Sequence, residues 1–222
     1  MTHEFKTPIS TISLALDAIF HPSNKANQNE LEKLGGIIRK ENERMHRQVE
    51  RLLQAARFDK GDFSLDLEPI KLHDLLHELG DLISSAKDGK DIPYIHYELN
   101  AKQHTIMADQ LHLFNACRNL LDNAIKFSTA KARIELHSYN EGEDLLIEIK
   151  DQGVGMSKNT MSHIFDSFYR YTEGDLHQTK GFGLGLAYVK DVIEKLGGEL
   201  GVKSKLNECS TFFLRFKTIS NG

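Results

Sequence analysis

Leu145-Leu146-Ile147-Glu148-Ile149-Lys150-Asp151-Gln152-Gly153-Val154-Gly155-Met156 is the stretch on which the reading of this chain turns. Its first half alternates: Leu145, Ile147 and Ile149 point one way, Glu148 and Lys150 the other. That period of two is a strand with one covered face, predicted over Asp144 to Lys150. The strand runs into a carboxylate, Asp151, and then into glycines at 153 and 155. A carboxylate at a strand end can accept from an exocyclic amine such as that of adenine. The two glycines let the backbone come close to a ligand. Taken alone, the same pattern is also an ordinary turn between a strand and a helix.

Upstream, Ala132 to Tyr139 reads as a second strand joined through a turn at Glu141-Gly142-Glu143. Before it lies a helix over 110–127, with Asp109 as its cap, carrying Asn119, Asn123, Lys126 and Phe127. Asn119 and Asn123 are one turn apart and share a face. Their carbonyl oxygens can serve a Mg²⁺ whose other ligands are phosphates and water, and Lys126 can place a point charge on a phosphate. The competing reading is the wet face of an amphipathic helix. Further up, Lys71 to Ala86 reads as a helix and Ile92 to Leu99 as a strand.

Downstream, Ser157 to Ser167 is a short helix, and Phe165 and Phe168 are core contacts anchoring a long polar loop over 169–181. Gly181-Phe182-Gly183-Leu184-Gly185-Leu186 then opens a helix over Gly183 to Leu196. Glycines at alternate positions before a helix expose N–H groups to an anion. A dinucleotide fingerprint needs a strand in front, where this chain has the polar loop. Glu199 to Lys203 and Thr211 to Phe216 finish as strands around a turn at Asn207.

The front of the chain has a different period. Over 2–21, Phe5, Ile9, Ile12, Leu16 and Ile19 recur at spacings of four and three, a narrow seam of coiled-coil type. His3 falls nearly opposite the seam, Thr7 shares its face, and Glu4 lies to the side. The seam is expected to be buried and His3 and Thr7 to face solvent. Pro8 cannot donate to the carbonyl of residue 4 and loosens the helix there. A second helix runs from Asn29 to about Phe58. Two long helices with a short connection form an antiparallel hairpin. Burying both seams calls for a second copy and a four-helix bundle with two-fold symmetry. The expected domains are 1–62, helical, and 63–222, α/β.

Composition excludes several classes. Across 222 residues the net charge is −4, which argues against broad attraction to nucleic acid. Cys117 and Cys209 form no CxxC and read as reduced thiols, with no disulfide frame or zinc site. Of the 11 histidines, those other than His3 show no metal-type pairing. No apolar run approaches a membrane span and no signal peptide is visible, so any anchor lies outside this stretch.

The order His3-Glu4-Phe5-Lys6-Thr7-Pro8, then Asn119, Asn123, Ala124, Lys126 and Phe127, then Asp151-x-Gly153-x-Gly155, then Phe165 and Phe168, then Gly181-x-Gly183-x-Gly185 resembles the sensor histidine kinases of two-component signalling. The resemblance covers essentially the whole chain. It implies a dimerisation hairpin followed by an ATP-binding α/β sandwich of the Bergerat type. It also implies His3 as phospho-acceptor and Glu4 as its general base. Asn119 and Asn123 would serve Mg²⁺ and the phosphates of ATP, with Lys126 on a phosphate and Phe127 lining the adenine side. Asp151 would take the adenine amine, and Gly153 and Gly155 would shape its pocket. Residues 169–182 would cover the nucleotide, with Gly181, Gly183, Gly185 and Leu186 at the end of that cover. Thr7 matches the position linked to dephosphorylating the partner. The implied activity is autophosphorylation on His3 and transfer to an aspartate of a response regulator. The implied setting is a homodimer in the cytoplasm, held at the inner membrane face by segments outside this chain. The alternatives are a chaperone-, gyrase- or mismatch-repair-type ATPase of the same nucleotide fold, and a scaffold that only dimerises and binds a receiver.

Overall fold

The structure, a computed structural model, describes residues 2–21, 29–42, 45, 64–85, 93–128, 132–169 and 183–219, with side chains in the first helix from Lys6 onward. The chain divides into two compact units near residue 61.

The first unit is helical. Helix α1 spans Thr2–Phe20 and runs unbroken through Pro8. Helix α2 covers 29–42, and the chain is helical again at Met45. The single chain covers only part of the α1 seam. Ile9 and Leu16 are half or more than a third exposed, whereas Ala15 and Pro8 are the buried positions. Ile12 and Ile19 are half-buried. The covered stripe of a single chain therefore runs 8–12–15–19, one residue round from the predicted centre. Phe5 lies outside the described side chains, and of the predicted second helix 46–58 lies outside the described residues.

The second unit holds a two-stranded antiparallel sheet, β1 (Glu68–Lys71) with β3 (Thr105–Ala108). Beside it is a five-stranded sheet in the order β2-β4-β5-β7-β6. Its strands are β2 (Tyr94–Leu99), β4 (Arg133–Glu141), β5 (Asp144–Asp151), β6 (Glu199–Lys205) and β7 (Cys209–Lys217). The β2–β4 pair is parallel and the others antiparallel. Helices α3 (Leu72–Ser85), α4 (Gln110–Phe127), α5 (Lys158–His163) and α6 (Gly185–Lys195) complete it.

One face of the sheet is buried in registered rows, apolar but for Ser138. Leu136, Ile149 and Phe212 form one, and Ser138, Ile147 and Leu214 the next. Against this face α4 turns Leu113, Ala116, Cys117, Leu120, Leu121 and Ala124, all essentially inaccessible to solvent. Burying each of the three leucines stabilises by about 1.5–3 kcal/mol, which holds α4 on the sheet. α6 packs beside α4 through Ala187, Tyr188, Val189, Val192 and Ile193. The Tyr188 hydroxyl lies 3.0 Å from His112 Nδ1 across that contact.

Two strands, β1 and β3, were not anticipated from the sequence. Each has four residues, β1 buried only at Ile70 and holding Pro69, β3 buried at Thr105, Ile106 and Ala108, so no alternation is long enough to register. The helix expected over Ser157 to Ser167 stops at His163, because the chain then turns through Phe168 at φ 68. That turn overrules a core role for Phe168, which is 52 % exposed. Phe165 keeps one, edge-on to Phe212 with centroids 6.4 Å apart.

Candidate functional site

The end of α4 and the loop after β5 are stitched together. Asp109 caps α4, its Oδ1 accepting from His112 N at 3.0 Å, and thereby sets the start of the helix that carries the two asparagines. At the far end, Val154 N donates to Phe127 O at 3.1 Å, and Ser128 bridges Gly153. Lys126 Nζ stands 4.9 Å from the centroid of the Phe127 ring. The loop that follows Asp151 is thus held against the last turn of α4.

Asp151 closes β5 and is only 3 % exposed. Its Oδ1 is buried with no hydrogen-bond partner among the described residues. Burial pushes its carboxyl from an ordinary 3.8 up to about 6, against the pull of the backbone amides of Ser210 and Gly153. A buried acceptor without a donor is costly to the protein and is satisfied by a ligand that brings one.

The glycines around it sit where a side chain has no room. A Cβ on Gly153 would press on the Phe127 carbonyl and come within 2.6 Å of Asp151 Oδ1. Gly155 has φ +60, and a Cβ there would meet the Lys205 carbonyl. At the start of α6, a Cβ on Gly185 would approach Asn119 Oδ1 to 3.0 Å. Asn119 donates from Nδ2 to Asn115 O at 2.9 Å, which leaves Oδ1 turned toward that helix start. Among the described residues no side chain caps α6, so its first N–H groups, with Leu186 among them, are left for an anion beside Asn119. Asn123 lies one turn further along α4, half-buried.

Gly183, at φ +70, packs on the backbone of Phe168 and Tyr169, and Phe168 N donates to Gly183 O at 2.9 Å. The two ends of the intervening stretch are thus clasped. Gly181 and most of the expected cover fall outside the described residues.

In the helical unit, His3 and Glu4 lie in α1, with their side chains outside the described ones. Thr7 is exposed as expected, and its carbonyl accepts from Thr11 Oγ1 at 3.0 Å. Lys6, Thr7, Ser10, Thr11 and Leu14 line a shallow depression on this helix.

Among the described residues no group of three or more His, Cys, Asp or Glu is placed to hold a metal ion. The asparagine pair is neutral, and a Mg²⁺ there would draw its charged ligands from phosphates. Sequence reasoning passed over Ser204 and Ser210. Both lie on the inward face of the sheet in register with Asp151, where the rows above carry Phe212, Leu214 and Leu200. Along β6 and β7 the apolar alternation, Leu200 and Val202 on one and Leu214 and Phe212 on the other, ends on a serine, and that was the signal.

The model of the histidine kinase-, DNA gyrase B- and HSP90-like ATPases matches residues 108–219, and the chain belongs to that family. Residues 1–61 match the His kinase A (phospho-acceptor) domain. A phospho-acceptor module ahead of this ATPase is the catalytic core of a two-component sensor histidine kinase. The sensor protein RprX of Bacteroides fragilis is 36 % identical over 226 residues, covering 100 % of this chain and 43 % of its own. The signal transduction histidine-protein kinase ArlS of Staphylococcus aureus is 29 % identical, covering 97 % of this chain and 47 % of its own. The chain thus spans less than half the length of these curated relatives. Among solved structures, full-length ShkA in complex with AMPPNP superposes with TM-score 0.71 at 25 % identity, covering 98 % of this chain and 45 % of that one.

Proposed function

We propose that the protein binds ATP in the second unit, phosphorylates His3, and passes the phosphoryl group to an aspartate of a response-regulator receiver. The observation that carries the nucleotide assignment is the buried, unpartnered Oδ1 of Asp151 beside the Gly153–Gly155 loop. Such an acceptor suits the exocyclic amine of adenine. Phe127 lines the base. Asn119 and Asn123 serve Mg²⁺ and the phosphates, with Lys126 as counter-charge. Gly181, Gly183, Gly185 and Leu186 offer backbone N–H groups to the same phosphates.

His3 supplies a neutral imidazole nitrogen as nucleophile. A P–N bond forms to the γ-phosphorus as its bond to the bridging oxygen breaks, and Glu4 takes the proton from the other ring nitrogen. The remainder of the catalysis is positioning and charge neutralisation. Thr7, one turn from His3 and exposed, acts in removing phosphate from the receiver. Residues 1–62 act as dimerisation and phospho-acceptor domain and 63–222 as catalytic domain. Two copies pair through the flank of α1 that carries Ile9 and Leu16, which a single chain leaves uncovered. Among the described residues no helix is long and apolar enough to cross a membrane. We place the core in the cytoplasm, tethered at the membrane by segments outside it.

Incubation with Mg²⁺ and γ-labelled ATP tests this. An acid-labile, base-stable label is expected, absent in His3→Gln. A label that survives that substitution overturns His3 as the acceptor.

A further inference from the structure

Three inward-facing residues at one end of the sheet are polar and in register. Asp151 pairs Ser210, and Ser210 pairs Ser204, across β5, β7 and β6. The row beside it is Ile149, Phe212 and Val202. Ser204 is the centre of a saturated network. Its Oγ donates to Cys209 O at 2.7 Å and accepts from Met156 N at 2.8 Å, and it lies 3.1 Å from Ser210 Oγ. One hydroxyl has one proton and two lone pairs, so with its proton on Cys209 O it receives the Ser210 proton. The turn beyond β6 adds two more holds on the same loop. Asn207 N donates to Val154 O at 2.7 Å, and Gly155 is packed on the carbonyl of Lys205 with Leu206 Cα next to it. From Gly153 to Met156 the loop therefore has α4 on one side, through Phe127 O and Ser128, and the β6–β7 hairpin on the other.

We propose that Ser204, with the β6–β7 turn, is a positioning residue for nucleobase recognition: it fixes the Gly153–Met156 loop at the height where Asp151 and the backbone meet the base. The inference rests on the reading of this loop as the nucleobase side of the ATP site. Ser204 lies a strand away from Asp151 across β7, so it acts through Met156 N and Ser210 and has no contact with the base. Base binding and phosphate binding then separate. Loosening the loop weakens whatever the base contributes and leaves the phosphate groups, held at α4 and the start of α6, where they are.

The test uses the whole chain with Mg²⁺ and compares affinity for ATP and for inorganic tripolyphosphate, with thermal melting measured without ligand. Leaving the Met156 N–H without its acceptor in Ser204→Ala is expected to weaken ATP by about tenfold. Tripolyphosphate affinity is expected to hold within about twofold, because its contacts are made elsewhere. Ser204→Thr restores the hydroxyl and the ATP affinity. Ser204→Cys keeps the volume with only a weak acceptor and behaves like alanine, which covers the case of an alanine variant that does not fold. Unchanged ATP affinity in Ser204→Ala and Ser204→Cys overturns the proposal. Equal losses for ATP and tripolyphosphate also overturn it, as a general structural effect, and so does a loss that threonine leaves unrestored. Asp151→Asn serves as the separate control: if it binds ATP as the native chain does, the ATP-site reading itself fails, whatever Ser204 shows.

Discussion

Replacing Asp151 with asparagine should make the ligand-free protein more stable while disabling it. The carboxyl is 3 % exposed and burial raises it from 3.8 to about 6. Between those values the folded state holds the proton more tightly than the unfolded chain does. The stability from that proton is present at low pH and is lost as pH rises through about 6. The displacement corresponds to about 3 kcal/mol against folding at pH 7. Asparagine carries no charge at any pH, so it removes this penalty. Its amide puts a donor where Oδ1 stands, and that N–H without an acceptor returns about 1–2 kcal/mol of the gain. The net expectation at pH 7 is about 1–2 kcal/mol of added stability, read by urea denaturation without nucleotide. At pH 4.5 the native carboxyl is already protonated in the fold, and the advantage over wild type should shrink by about 2 kcal/mol. ATP affinity should fall at least tenfold, because the base loses its acceptor and meets a donor instead. A variant less stable than wild type at pH 7 would refute the reasoning. So would a stability gap that does not change with pH.

Two other outcomes follow from side chains away from that carboxylate. His73 is stacked on His104 with centroids 3.9 Å apart, lies 2.8 Å from Ser138 Oγ, and is lowered to about 4 chiefly by burial, then by its neighbours His104 and His77. Its folded state prefers the neutral ring, so stability is full above about 6.5 and declines as pH falls toward 4, by about 2 kcal/mol after allowance for partial exposure; His73→Gln should flatten that limb of a stability–pH curve, and an unchanged limb would show that the stack is not responsible. Gly155→Ala should destabilise by about 3 kcal/mol and remove nucleotide binding, since φ +60 and the Lys205 carbonyl both exclude a Cβ; a melting temperature equal to wild type would contradict that packing.

The helices and long strands of the second unit were legible because each carries its period over enough residues. Leu113, Cys117, Leu120 and Ala124 repeat on one face of α4, and Leu145, Ile147 and Ile149 alternate along β5. The nucleotide residues were legible as residue types at fixed places on those elements, Asp151 at a strand end and Asn119 on a helix face. What escaped is what depends on contacts between distant segments. β1 and β3 exist by pairing with each other across more than thirty residues and have no pattern of their own. Phe168 looked apolar and core-bound, but the chain's reversal at φ 68 turned it outward. Ser204 belongs to the Asp151 loop only through the register of β6 on β7. On α1 the period was legible, and the single chain covers 8–12–15–19 of it while Ile9 and Leu16 stay exposed.

Asp109 has a bearing on where the second unit can be cut free. Its Oδ1 caps α4, and its Oδ2 accepts from the backbone N–H of Asp66 at 3.0 Å. The carboxylate is 8 % exposed, so neither oxygen has ready recourse to water. A fragment begun at residue 108, where the ATPase family match starts, would lose β1, α3, β2 and all but the last residue of β3, and would leave Asp109 Oδ2 without its Asp66 donor. A fragment begun at residue 64 keeps both. Beginning at residue 64 thus keeps, besides the buried leucines of α3 and the β2 edge of the sheet, the one hydrogen bond by which the segment some forty residues ahead of the helix carrying Asn119 and Asn123 completes the partners of Asp109.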